Sequence, residues 1–358
     1  MDSSLDMMTR HDEIRNAVVR FTGHKRKFLL IMLPLLCLIA AWSAATGCVD
    51  ISPLDVFSMI HGRLFGSGEM STQAHIIIWQ LRLPRIVMGL LAGMALGASG
   101  AVMQVVLRNP LADPYMLGIA SAAGFGASLA MIFGVGILSG SYLVVGNAFL
   151  FSLLASILIM VISGGKGATP ESMVLTGLAM LFFFQALTTI VQYFGDSDAV
   201  KAAVFWSVGD LGKAGWVKIG QLTPLVFVGL VLLFSRTRDL NLMNAGDSAA
   251  QSLGVATGFT RGFSMVVSSL LVAGVVSFTG TIGFVGLVAP HGVRMVIGND
   301  NRYLVPASAL VGAVLLIVSD TLARTVLSPV ILPVGAVTAF LGVPLLVFLI
   351  VRSQGGQA

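Results

Sequence analysis

Charge is the scarcest property of this 358-residue chain: Asp, Glu, Lys and Arg make up 10% of it, against roughly 25% in an ordinary soluble domain. Hydrophobic residues reach 56% and the mean hydropathy is +0.94. That balance excludes a soluble enzyme and also excludes disorder, since the apolar surface far exceeds what a chain leaves in water. Cysteine is nearly absent: Cys37 and Cys48 allow at most one disulfide and offer no metal-ligand spacing. The 41 glycines carry no collagen period and suit helices packed closely in lipid. Long alternation of a membrane β-barrel type is missing, so closed helical hydrogen bonding is what remains for a backbone in a bilayer.

Catalytic signatures are missing too. Gly164-Gly165-Lys166 lacks both the earlier glycine and the following Ser or Thr of a phosphate-binding loop, and no nucleophile stands beside a base. His291 has no second ligand three or four residues away and is expected as a hydrogen-bonded helix-terminus residue. The chain is therefore expected to be neither an enzyme nor a nucleic-acid binder, and to hold no metal or cofactor itself. Energy for active transport would come from an ion gradient or from another subunit.

A span needs about 20 apolar residues. Windows at 28–46, 86–106, 116–138, 143–163, 173–194, 219–234, 263–278, 304–318 and 330–351, with a weaker one at 284–297, predict an all-α polytopic membrane protein of about ten helices. A lipoprotein-type cleavage at Ala45-Thr46-Gly47-Cys48 is the less simple reading of the first window, whose apolar run is long for a signal peptide. Arg10, Arg15, Arg20, Lys25, Arg26 and Lys27 precede the first span. Arg108, Lys166, Arg236, Arg238, Arg261, Arg294, Arg302 and Arg352 follow on the same side, which predicts cytoplasmic termini. The organisation expected is a cytoplasmic tail over 1–27, a transmembrane domain over 28–352 and a cytoplasmic tail over 353–358.

Four connections exceed simple turns. Arg82-Leu83-Pro84-Arg85 stands outside at a helix mouth, either as a headgroup anchor beside Trp79 or as docking charge for an acidic partner. Asn109-Pro110-Leu111-Ala112-Asp113-Pro114 follows Gly89, Gly93, Gly97 and Gly100, a face of small residues expected to form a packing seam. The outside stretch 195–218, with Phe205, Trp206 and Trp216, predicts a short interfacial helix that caps the surface or covers an opening. The inside stretch 235–261 places Asp247 as the N-cap of a short helix that Gly254 ends, as a docking element or as a connector. Asp320 and Arg324, four apart, can pair. A weak match at an offset of 180 residues pairs Leu91, Gly100, Leu107 and Pro110 with Leu271, Gly280, Leu287 and Pro290, as chance or as an inverted repeat.

Taken in order, Arg82-Leu83-Pro84-Arg85, Gly100-Ala101-Val102-Met103-Gln104, the Asn109 to Pro114 run, Leu253-Gly254, the run from Gly283 through Pro290-His291 to Arg294, and Leu332-Pro333-Val334-Gly335 closely resemble the FecCD family. These are permease subunits of ABC importers for iron chelates, haem and cobalamin, and molybdate and tungstate importers belong with them. The resemblance implies a paired permease, most simply a homodimer in the cytoplasmic membrane, with the path at the interface. It implies two cytoplasmic ATPases that hold ATP and Mg, and an extracytoplasmic binding protein. Position by position, Arg82, Arg85 and Arg324 match arginines that meet glutamates of the binding protein. Asp247, Ala250, Leu253, Gly254 and Val255 match the loop seated in the ATPase groove. Thr169-Pro170-Glu171-Ser172 matches the cytoplasmic gate but lacks the small hydroxyl pair of cobalamin permeases, which weakens a cobalamin assignment without naming another ligand. Thr176 and Gln185 on the same helix are expected to face the path. Alternating access would then move substrate inward. The rival class is a gradient-driven carrier, which would be expected to bury coupling ionisable residues mid-membrane.

Overall fold

The computed structural model describes residues 2–47, 52, 56, 58, 76–164 and 169–355. Its helices are α1 (Asp2–Ala45), α2 (Leu83–Val106), α3 (Ile119–Phe133), α4 (Leu143–Gly164), α5 (Pro170–Tyr193), α6 (Ser197–Ser207) and α7 (Trp216–Ser235). They continue with α8 (Thr237–Met243), α9 (Asp247–Ser252), α10 (Thr257–Thr279), α11 (Val285–Ile297), α12 (Asn301–Thr325) and α13 (Val334–Gly355). A π-helical turn, Ile76–Arg82, leads into α2. Each of the ten apolar windows falls on one helix: α1, α2, α4, α5, α7, α10 and α12 are long enough to cross a bilayer, and α3, α11 and α13 carry shorter apolar stretches.

Helix ends differ from the hydropathy windows where local chemistry intervenes. α3 is much shorter than its window because Gly118 and Gly134, both at positive φ (75° and 67°), bracket it. α12 outruns its window to Thr325, since Asp320 and Arg324 are carried inside the helix as a pair. The expected short helix after α5 is α6, capped by Asp196, whose Oδ1 accepts the N–H groups of Asp198 and Ala199 at 3.0 Å each.

The central element is α2, buried along most of its length. Its small-residue face packs as expected: Gly93 and Gly97 meet the α12 backbone at Gly312 and Ser308, and Gly100 lies on Gly286 of α11. Around it, α10 and α7 complete the inner ring, while α3, α4 and α5 form a second group stapled by Phe125, Phe151 and Phe184. The outward faces of α5 and α13 carry exposed Leu175, Phe182, Phe183, Ile190, Phe340 and Phe348.

The offset-180 pairs do not fall at equivalent places in their helices. Gly100 is mid-helix, whereas Gly280 is the C-cap of α10 at φ 71°; Pro110 lies in a turn, whereas Pro290 lies inside α11. His291 is likewise mid-helix rather than terminal, and its buried Nδ1 has no hydrogen-bond partner among the described residues. Cys37 is exposed and has no disulfide partner among the described residues, which leave out Cys48.

Candidate functional site: two charged clusters at the ends of α2

At about 1.5 Å per residue, α2 is roughly 36 Å long and holds a cluster at each end. At its N-terminal end Arg82 donates from Nη1 to the carbonyls of Ala44 and Ala45 at 2.7 and 2.8 Å. Arg324 reaches the same helix end, with Nη2 on the Ser43 carbonyl at 3.2 Å and Nη1 on the Thr46 carbonyl at 3.2 Å. The unpaired carbonyls and negative dipole end of α1 are thus capped by two guanidiniums. Between the arginines sits Asp320. It accepts Arg85 Nε on Oδ1 and Oδ2 at 2.7 and 2.9 Å and pairs with Arg324 Nε at 3.2 Å. Asp210 is a distant third partner, 3.9 Å from Arg85.

The sequence presents Arg82, Arg85 and Arg324 as outside charge; the structure buries all three, at 6 to 8% exposure. The reason is chemical. A buried guanidinium is tolerable where carboxylate and carbonyl oxygens replace its water, and Asp320 with the end of α1 supplies them. The three arginines line a recess of about 650 Å³ shared with Asp210, Lys213 and Trp206. They are set back in a cavity rather than projecting from a surface.

At the other end, Asp247 opens α9 but does not cap it. Gly246, at φ 108°, occupies the cap position, and its carbonyl accepts the Ala250 N–H at 2.9 Å. The Asp247 carboxylate instead takes Arg108 Nη2 at 2.6 Å and Arg261 Nη2 at 3.0 Å on each oxygen. Ala250 and Val255 are buried together with Met243, and the Val255 N–H closes on the Ala250 carbonyl at 3.0 Å. Gly254, at φ 86°, makes the reversal, which leaves Leu253 at the tip with 65% exposure. Nearby, Asp300 ties three elements together through Lys25, Asn241 and Arg302. Partial burial would raise its pKa, but the hydrogen bonds from Arg302 and Asn241 prevail and hold it well below the usual carboxylate range.

The start of α5 is a capped N-terminus: Thr169 Oγ1 accepts the Ser172 N–H at 3.3 Å, Pro170 fills the first helical position and Glu171 is exposed. Thr176 is half-buried against α4, where Ser163 Oγ donates to it at 3.4 Å. Gln185 is exposed. Nine residues at 100° each put the two on opposite sides of α5, so they do not share one lining face. No group of three or more metal-ligating side chains occurs among the described residues.

Asp113, in the α2–α3 connection, escapes sequence reasoning. It is 7% exposed, accepts the Tyr115 N–H at 3.1 Å and has no ion pair among the described residues. Burial pushes it up to about 6, although the N–H groups of Tyr115 and Phe284 oppose the rise. An acid raised in the folded state contributes stability that is complete below its unfolded pKa and lost as pH climbs through the folded one. The rise from 3.8 to about 6 corresponds to roughly 3 kcal/mol. Asp113→Asn keeps an accepting oxygen and removes the charge, so its melting temperature in detergent should exceed that of the parent at pH 8, with the advantage gone by pH 4. Equal curves at both pH values would contradict the burial argument.

The profile of the FecCD transport family matches residues 34–352. The haemin transport permease of Yersinia pestis is 35% identical over 331 residues, covering 92% of this chain and 96% of that one. A vitamin B12 import permease of Salmonella paratyphi A is 35% identical over 284 residues, covering 79% and 86%. A solved ABC transporter described as metal-chelate type, in an inward-facing conformation, superposes with a TM-score of 0.81 at 30% identity and covers 91% of this chain and 99% of that one.

Proposed function

Since this chain belongs to the FecCD transport family of ABC importer permeases, we propose that its cargo is an iron chelate, a siderophore or haem, moved inward by alternating access. The haemin permease and the metal-chelate transporter among its relatives support that cargo, and the Thr169-Pro170-Glu171-Ser172 gate sequence argues against cobalamin. The carrying observation is the pairing, at opposite ends of α2, of an arginine-lined recess with a turn that projects Leu253.

In this reading the termini and α9 lie in the cytoplasm and the Arg82 end faces outward. A binding protein offers carboxylates that reach into the recess toward Arg82, Arg85 and Arg324. The α9 turn, with Leu253 and Gly254 at its tip, seats in one of two ATPase subunits, and ATP and Mg are held there rather than on this chain. A second copy packs against the exposed apolar faces of α5 and α13, with the path between copies. The path holds cargo loosely, because a carrier fed by a tight-binding protein gains nothing from a second tight site.

The deciding experiment reconstitutes the permease in vesicles with its ATPase and binding protein and offers labelled ferric siderophores, haem, cobalamin and molybdate in parallel. Uptake of an iron chelate that stops when the ATPase's phosphate-binding lysine is replaced is the expected result. Uptake of cobalamin or molybdate alone would replace the cargo, and uptake that survives the lysine replacement would point to a gradient-driven carrier.

A further inference from the structure

Arg108 follows α2 directly and has φ 47°, one of two non-glycine residues in the left-handed region among the described residues. A side chain with a Cβ is disfavoured there, and such positions persist where the surroundings hold them. What holds this one is visible on both sides. Its N–H closes on the Val105 carbonyl at 3.1 Å, and its guanidinium pairs with Asp247 at 2.6 Å, a distance of strong charge-assisted contact.

The same carboxylate accepts Arg261 of α10 on both oxygens at 3.0 Å. Arg261 is 3% exposed, and its Nε donates to the Val106 carbonyl at 3.1 Å, the last residue of α2. One carboxylate on a six-residue helix therefore joins the end of α2, the turn beyond it and α10. From Val106 the rod of α2 runs without break to Arg85 and its Asp320. Backbone contacts at Gly93, Gly97 and Gly100 key it to α12 and α11, so displacement at one end is not absorbed by loose side chains.

We infer that Arg108 and Arg261 are positioning residues for coupling: through Asp247 they lock α9 to the end of α2, so that movement of α9 is delivered to the arginine recess. The inference rests on the reading of α9 as the ATPase-coupling element. Arg108 carries the test because glycine at its position relieves the backbone while removing only one of the two locks.

The test uses Arg108→Gly and Arg108→Lys in the full complex with ATPase and binding protein. It measures ATP hydrolysed per cargo molecule taken up, ATPase retained on purification, and the melting temperature. Arg108→Gly is expected to assemble and to melt no lower than the parent. It should raise ATP use per cargo by at least about fivefold, the lower range of energetic coupling between sites, and Arg108→Lys should restore most of the difference. An unchanged ratio in Arg108→Gly would overturn the inference and leave the ABC importer reading standing. A fall in melting temperature alongside uptake, unrepaired by lysine, would reduce Arg108 to a structural ion pair and also overturn it. Uptake by the parent complex that does not need ATP would instead remove the functional reading itself.

Discussion

Asp320→Ala is expected to abolish the folded permease or leave it melting far below the parent. The carboxylate, with its side chain 3% exposed, is the shared counter-ion of Arg85 and Arg324, whose own side chains are 9% exposed. Removing it leaves two like charges facing each other in a site that water reaches poorly. Breaking a buried pair in this way costs about 3–5 kcal/mol, a large share of the roughly 5–15 kcal/mol that holds a typical protein together. Asp210 is no substitute: it lies 3.9 Å from Arg85 and is 44% exposed, and its Oδ1 already accepts the Gly212 N–H at 2.6 Å. Asp320→Asn should fare little better, because an amide that accepts from Arg85 turns its NH₂ toward Arg324. Asp210→Asn is the comparison and should cost less than about 1 kcal/mol, as expected for an exposed, poorly aligned pair. Size-exclusion profiles after a temperature ramp read all three. An Asp320→Ala protein that melts with the Asp210→Asn protein would show that the recess hydrates its arginines well.

That cluster marks where sequence reading succeeds and where it stops. The spans were legible because apolar runs of bilayer length have few alternatives, and the pairing of Asp320 with Arg324 follows from a spacing of four on one helix. Arg85 joins them from 235 positions away, and no local pattern encodes that. Charge beside a helix mouth reads as exposed charge, because nothing local in the sequence shows that the end of α1 offers carbonyls in place of water. The same limit applies at α9: a glycine-aspartate start fits an aspartate cap, but the backbone gives that position to Gly246 and frees Asp247 for two arginines. A left-handed arginine at 108 leaves no trace in composition or period. The small-residue face of α2, in contrast, is legible at Gly93, Gly97 and Gly100, because glycines spaced by a helical turn have few other uses in lipid, while a Cβ at Gly89 would meet only the side chains of Leu211 and Ile317.

That face supports the second large effect. Gly100→Ala should be among the most damaging single-methyl additions the chain can receive. A Cβ there would fall on the backbone of Gly286, against its carbonyl group and 2.5 Å from its Cα. Neither atom belongs to a side chain that can rotate away, so relief requires α11 to move off α2. Added methylenes in ordinary cores cost about 1–3 kcal/mol when side chains can give; with backbone on both sides the cost should lie at or above the top of that range. Helix propensity pulls the other way, since alanine is favoured over glycine by about 1 kcal/mol in a helix. Gly124 of α3 separates the two effects, because a Cβ at that position meets nothing within 4 Å among the described residues. Gly124→Ala should therefore raise the melting temperature slightly while Gly100→Ala collapses it, the same substitution with opposite sign in consecutive helices. If both variants shift together, propensity and not interhelical distance governs these glycines, and α2 is not keyed to α11 by close backbone contact. If they diverge as expected, the contact that carries α2 past α11 is set by the missing methyl group at position 100.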